Sequence, residues 1–381
     1  MLPVTDQRRV GLVLSGGGAR GAYQAGVLKG IAEIAADAGI VNPLPIITGI
    51  SAGAINAAFL ASTCNDFLQA TDSMAKMWSE LTADRVFRTD ALSAGRSGFK
   101  LLSDATVGAL YSKKLARSLL DTRPLRQLLD EKIDFSRIDS NLRNGHLHAL
   151  SITAMNYTNS YSTAFIQAHP DTEMWSRSRR KSELSSITSS HVLASAALPL
   201  FFPTVPVGND YFGDGCLRNT APLSPAIHLG ADRLLVVSVR KPDSKPAHAG
   251  AGIEPSLARV LGIVLNALIL DAVDVDMERM SRINHTLELI PDTYRNGSPL
   301  RKVDFLWIRP SKDIGQLAGD LFEKLPKVIK YLIRGLGSSK EASELTSYLL
   351  FDPDFCGQLV NMGYEDAREN HTEILTFLKR G

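Results

Sequence analysis

Three short stretches hold residues whose types and spacing can do chemistry. The first is Gly49-Ile50-Ser51-Ala52-Gly53, set between the apolar run Leu44-Pro45-Ile46-Ile47-Thr48 and the alanine-rich run Ala54 to Leu60. Strand, tight turn and helix in that order put a serine hydroxyl at a helix N-terminus, where the dipole favours a developing negative charge; this is the nucleophile-elbow arrangement. Gly49 and Gly53 let the two elements cross closely. The second stretch, Ser15-Gly16-Gly17-Gly18-Ala19-Arg20-Gly21, follows the apolar run Gly11 to Leu14 and opens a helical run from Ala22 to about Ala36. Such a loop aims backbone N–H groups either at a phosphate or at an oxyanion. The third, Tyr211-Phe212-Gly213-Asp214-Gly215-Cys216, sets one carboxylate between two glycines. It reads as a turn aspartate or as a general base brought close to Ser51.

Other chemistries fit less well. The glycine loop is spaced like a dinucleotide fingerprint, but the acidic residue expected about 20 positions on, at the end of a second strand, is missing: Asp37 falls within or just after the helix. No G-K-[ST] follows for a P-loop, and no D-x-D-x-D-G calcium loop occurs. His146 and His148 stand two apart without further metal ligands, so neither metal nor cofactor is expected. Three widely spaced cysteines (Cys64, Cys216, Cys356) imply no disulfide framework or zinc site and point to a reducing compartment.

These residues need a sheet to hold them. Apolar runs predict strands at Gly11–Leu14, Leu44–Thr48, Leu147–Met155, Tyr161–Ile166, Leu234–Val239 and Val303–Ile308. Helical periodicity predicts helices at Asp66–Leu81, after Pro124, over Ser189–Ala197, over Leu223–Leu229 and from Glu254 to Glu288 with one break. Arg85–Asp104 is rich in Gly, Ser and Arg and reads as an irregular cap segment, and Lys241–Gly252 as a linker. Trp175–Lys181, with four basic residues, reads as a solvated loop able to meet anionic lipid head groups. Leu321–Leu336 reads as a basic amphipathic helix, docked on the core or lying on a membrane surface.

At 381 residues, 44% hydrophobic and with mean hydropathy near zero, the chain holds an ample core in one large α/β domain with a helical appendage or in two domains. A net charge of +2 makes no case for nucleic acid. No apolar run reaches the roughly 18 residues of a transmembrane helix, and Met1–Val10 lacks a signal-peptide core; the expected location is cytoplasmic, with peripheral membrane contact through the basic patches. Oligomeric state is left open.

Taken together, Gly16-Gly17-Gly18-Ala19-Arg20-Gly21, Gly49-Ile50-Ser51-Ala52-Gly53, Ala194-Ser195-Ala196-Ala197-Leu198-Pro199 and Asp214-Gly215 resemble the patatin-like phospholipase family in order and spacing across residues 9 to about 240. The resemblance implies a three-layer α/β/α sheet with a Ser–Asp dyad. Ser51 is then the nucleophile and Asp214 the base, Gly16, Gly17 and Gly18 form the oxyanion hole, and Arg20 holds that loop from behind, with Gly49, Gly53 and Gly215 as supporting turns. It implies a metal-independent lipid acyl hydrolase of phospholipase A or lysophospholipase type. The implied organisation is a catalytic domain over 1–245 with a helical cap insertion at 64–140. A mostly helical region over 253–381, with one strand near 303–308, packs on that core. Cys216 departs from the pattern, because the family usually has Gly or Ala there. Three other readings compete. They are a His-dependent α/β-hydrolase using His228, His248 or His285, an acyltransferase sharing the acyl-enzyme, and a catalytically silent membrane-binding protein.

Overall fold

The computed structural model describes residues 9–88, 118–242, 254–291 and 300–380. Its strands are β1 (Val10–Leu14), β2 (Ile46–Ile50), β3 (Ala149–Asn156), β4 (Ser162–Ala168), β5 (Ser176–Arg177), β6 (Arg180–Leu184), β7 (Val205–Val207), β8 (Asp210–Asp214), β9 (Arg233–Val237) and β10 (Asp304–Ile308). The helices before β3 are α1 (Gly21–Asp37), α2 (Ala52–Thr63), α3 (Phe67–Ser79), α4 (Ala83–Val86), α5 (Arg123–Lys132) and α6 (Ser136–Arg143). Later come α7 (Ser189–Ser195), α8 (Ser224–His228), α9 (Leu257–Ile269), α10 (Asp271–Leu289), α11 (Ile314–Asp320), α12 (Lys327–Arg334), α13 (Ser343–Leu349), α14 (Pro353–Glu369) and α15 (His371–Lys379).

All strands join one mixed sheet. The path runs β10-β9-β1-β2-β3-β4-β6-β5, with β8 pairing both β3 and β7. The five strands from β10 to β3 are parallel and fully buried along β9, β1, β2 and β3, as their near-continuous apolar runs require. Alternate side chains of β1 go to opposite faces. Leu12 and Leu14 join the core shared with α1, α2, α3 and α14, and Val13 joins the core shared with α8 and α10. Helices therefore cover both faces, giving the three-layer α/β/α architecture expected.

Helix α1 is buried almost all round because it lies between the sheet and α14. A β-carbon on Gly26 would run into the Val360 carbonyl, and one on Gly363 into the Tyr23 carbonyl, so these helices cross backbone against backbone. The C-terminal segment is not a separate layer. Its strand β10 pairs in register with β9, Asp304 opposite Arg233 and Ile308 opposite Val237, at the edge of the sheet that holds the motifs.

Two expectations change, and one strand is new. The basic stretch at 175–181 is not a loop: it forms the edge hairpin β5–β6, where exposed charge suits an unpaired strand edge. Leu321–Leu336 is not one helix. Pro326 has no N–H to donate, so a 3₁₀ turn at Phe322–Lys324 precedes the shorter α12. Phe322, Leu325, Ile329 and Ile333 are buried, and Lys330 and Arg334 both turn back to Glu323, so the apolar face is docked. Strand β7 was not anticipated; with three residues and a central proline it carries too short a pattern. Most of the expected irregular cap (89–104) and linker (243–252) lies outside the described residues.

Candidate active site

Ser51 occupies the single position between the last residue of β2 and the first of α2. Its backbone sits at φ 54°, ψ −125°, a region costly for any residue with a β-carbon, as a sharp strand-to-helix reversal demands. The reversal depends on its glycines. A β-carbon on Gly49 would strike the Gly53 carbonyl and Ala57, and one on Gly53 would strike the carbonyls of Leu14 and Ser15. The Ser51 N–H donates to Ser195 Oγ at 2.9 Å, and Ser195 Oγ in turn donates to the Thr153 carbonyl at 2.6 Å. Helix α7 thereby fixes the elbow against β3.

Asp214 reaches Ser51 through strand pairing. β2 covers one edge of β3 as far as Ile50 opposite Thr153, and β8 takes up the same edge at the next residue, Asp214 opposite Ala154. The ends of β2 and β8 therefore meet head to head. Ser51 Oγ donates to Asp214 Oδ2 at 2.7 Å, and the Cys216 N–H donates to Oδ1 at 2.9 Å. Asp214 is fully buried. Burial pushes its carboxyl up to about 6, against the pull of the Ser51 and Cys216 hydrogen bonds. Gly215 packs on the Thr153 carbonyl, where no side chain fits.

The glycine loop closes the third side. Gly16 lies against Ser51, its α-carbon placed so that an added β-carbon would come within 3.0 Å of Ser51 Cβ. Gly18 adopts φ 58° with its α-carbon against the Tyr348 carbonyl. The N–H groups of Gly17 and Gly18 donate to no group among the described residues. Arg20, buried beneath the loop, donates from Nε to Ser347 Oγ at 2.8 Å and pairs with Glu344 at 2.5 Å, its guanidinium 4.8 Å above the Tyr348 ring. Burial lifts the Glu344 carboxyl, but Arg20 and Asn266 outweigh it and leave the group below its ordinary range.

The family model for patatin-like phospholipases matches residues 12–227. The chain belongs to the patatin-like phospholipase family. "Lysophospholipase nte1" of Aspergillus terreus (strain NIH 2624 / FGSC A1156) is 38% identical over 109 residues, 26% of this chain and 7% of that protein, so the chain spans a small fraction of this relative's length. Among solved structures, VipD from Legionella pneumophila overlaps 98% of this chain and 72% of its own at 14% identity and TM-score 0.39. The type III effector protein ExoU of Pseudomonas aeruginosa overlaps 97% and 54% at 13% identity and TM-score 0.38.

In this patatin-like chain a narrow apolar cleft, with a cavity volume of about 30 Å³, leads to Ser51. Ile55, Trp78, Leu125, Leu198, Phe202 and Phe351 are among its walls. Trp78 is fixed by its indole N–H donating to Asn56 Oδ1 at 2.6 Å.

The two described histidines of the alternative hydrolase stand elsewhere. His228 stacks edge-on against Trp175, His285 lies in α10, and His248 is outside the described residues. His148 faces the Arg9 guanidinium, and no metal-binding cluster occurs among the described residues. Sequence reasoning missed Ser195 as the elbow's anchor, although its small-residue segment was visible. It also missed Asn266, Glu344, Ser347 and Tyr348, which carry no local signal.

Proposed function

We propose that the protein cleaves carboxylic esters of lipids through a Ser51 acyl-enzyme, in the manner of a phospholipase A or lysophospholipase. The observation that supports this most is the direct 2.7 Å contact between Ser51 Oγ and a buried carboxylate at the foot of an apolar cleft. As Ser51 Oγ attacks the ester carbonyl, Asp214 takes its proton. Negative charge on the former carbonyl oxygen meets the N–H groups of Gly17 and Gly18, each such donor being worth about 3 kcal/mol in the transition state. Collapse expels the alcohol, which takes the proton from Asp214. Water then attacks the acyl ester with Asp214 again as base, and the fatty acid leaves. The acyl chain lies along the cleft walls. The name of the nte1 relative, a lysophospholipase, agrees with this class of substrate.

Such a substrate lives in a lipid surface, and α12 has no free apolar face to meet one. Helix α9 does: Leu257, Val260, Ile263 and Val264 are exposed, while its other side carries Ile269 to Gly16. We infer that peripheral membrane contact is made there. Ile263→Asp with Val264→Asp is expected to lose co-sedimentation with phosphatidylcholine vesicles; unchanged sedimentation discards this face. For the reaction itself, fatty-acid release from mixed phospholipid micelles with chelator present is the test. The wild type should release fatty acid and Ser51→Ala and Asp214→Asn should not. Undiminished release by Asp214→Asn sinks the dyad.

A further inference from the structure

The sheet ends in two edges of opposite character. At one, β5 and β6 set Arg177 opposite Arg180 and Ser176 opposite Lys181, a display of charge that keeps an edge from pairing with another chain. At the other, β10 reads Asp304-Phe305-Leu306-Trp307-Ile308, with one charge in five residues. Among the described residues it pairs with β9 alone. The Ser238 N–H donates to the Ile308 carbonyl at 3.2 Å, so Ile308, Leu306 and Asp304 turn their backbone groups inward to β9. Alternation along the strand then turns the N–H and C=O of Phe305 and Trp307 outward, where they meet no partner among the described residues.

Phe305 and Trp307 also share a face. With Met277, Glu278, Ser281 and Arg282 of α10 they line an open groove of about 400 Å³, and both rings are only partly buried. Trp307 is held ready, its indole N–H donating to Ser238 Oγ at 3.0 Å and the Arg309 guanidinium stacked 4.0 Å from its ring. Glu278 and Arg282 are exposed one helical turn apart, and neither takes an ion-pair partner among the described residues.

We propose that this edge pairs with the same edge of a second copy of the chain, antiparallel about Leu306, so that one sheet runs through both copies. The residues dictate the register. A two-fold axis perpendicular to the sheet must set a residue opposite itself, because directly opposed side chains share a face. With Leu306 on the axis, Phe305 stands opposite Trp307 of the second copy, and Trp307 opposite its Phe305. Both residues present outward backbone groups, so each of these is a hydrogen-bonded pair that exchanges two backbone bonds. Each is also an aromatic cross-strand pair. Asp304 then faces Ile308, Val303 faces Arg309 and Lys302 faces Pro310, so no like charges meet along the strands. The same axis brings the two grooves together. Antiparallel copies of α10 set Glu278 of one against Arg282 of the other, on either side of the axis. An extended peptide can satisfy the backbone, but a second copy supplies both the aromatic pair and the opposite charges by symmetry.

The test is the mass of the full chain in sedimentation equilibrium over a wide concentration range, with amide hydrogen exchange read on the same samples. The wild type should approach twice the chain mass, and the Phe305 and Trp307 amides should pass from fast to slow exchange as it does. Phe305→Pro removes one outward N–H without touching the ladder to β9 and should leave a monomer. Glu278→Arg sets like charges against each other and should raise the dissociation constant roughly tenfold or more, while Glu278→Arg combined with Arg282→Glu brings it back. A wild type that stays monomeric at every concentration overturns the proposal and leaves the edge to a peptide. So does a dimer that keeps its mass in both Phe305→Pro and Glu278→Arg, because the contact then lies elsewhere. Should Phe305→Pro not fold, the charges decide. A dimer weakened by the single reversal and restored by the double one supports the pairing, and a dimer indifferent to both removes it.

Discussion

Residues 9–242 carry every group proposed to act in the reaction, whereas residues 254–380 carry most of the groups that hold the glycine loop in place. The first region announces itself in short motifs, because a turn that must expose one hydroxyl constrains its immediate neighbours. In the second, Glu344, Ser347 and Tyr348 look like any face of a short helix, and their roles come from Arg20, more than 300 positions earlier. Catalytic geometry is local in sequence; its rigidity is not. Even the sheet is shared, since β10 from the second region completes the parallel set beside β9.

Ser51→Ala and Asp214→Asn should each cut kcat by about 10⁴-fold or more with little change in thermal midpoint, as expected of groups acting as a unit. A large loss of stability in either would blur the division. Arg20→Ala should do the reverse, costing about 3 kcal/mol in denaturant unfolding by stripping Glu344 of its buried partner, with activity lost through the misplaced loop. If Arg20→Ala keeps full stability, the C-terminal region is not the brace described here. The pH profile follows from Asp214. A base raised to about 6 is ionised above that pH and protonated below it, so kcat/KM should be flat on the alkaline side. It should fall roughly tenfold per unit on the acid side. A limb near 4 would place the base in an exposed setting. Gly26→Ala should cost about 1–3 kcal/mol by pushing α14 off α1, with kcat preserved in the folded fraction. Smallest of all, Lys327→Ala, at an exposed position of α12, should stay within about 0.5 kcal/mol of wild type and leave vesicle binding unchanged.

Much of the fold was legible because buried parallel strands are written as apolar runs: β1, β2, β3, β4, β9 and β10 all fall within about two residues of where those runs lie. What a run cannot say is which strand it pairs with, so the place of β10 beside β9 was invisible. The charged hairpin β5–β6 was hidden because an exposed edge strand needs no apolar pattern. The basic helix at 321–336 was overextended because its periodicity continues through Pro326, where the backbone cannot. At the site, Ser51, Asp214 and the Gly16–Gly18 loop, which the structure brings together, were named from their motifs. Ser195 was visible only as a small residue, since a hydroxyl that accepts one N–H and donates to one carbonyl leaves no spacing to read.

The head-to-head arrangement of β2 and β8 on β3 has a metric consequence. Pairing registers slip in whole steps, and a face-preserving slip of two residues moves a strand by about 7 Å. The Ser51–Asp214 separation is thus quantised by β3, which acts as a ruler, and no intermediate spacing is available to a folded molecule. Chain length is decoupled from that ruler: 163 positions separate the two residues, and insertions or deletions between 157 and 209 that spare β4, β6 and α7 leave the distance untouched.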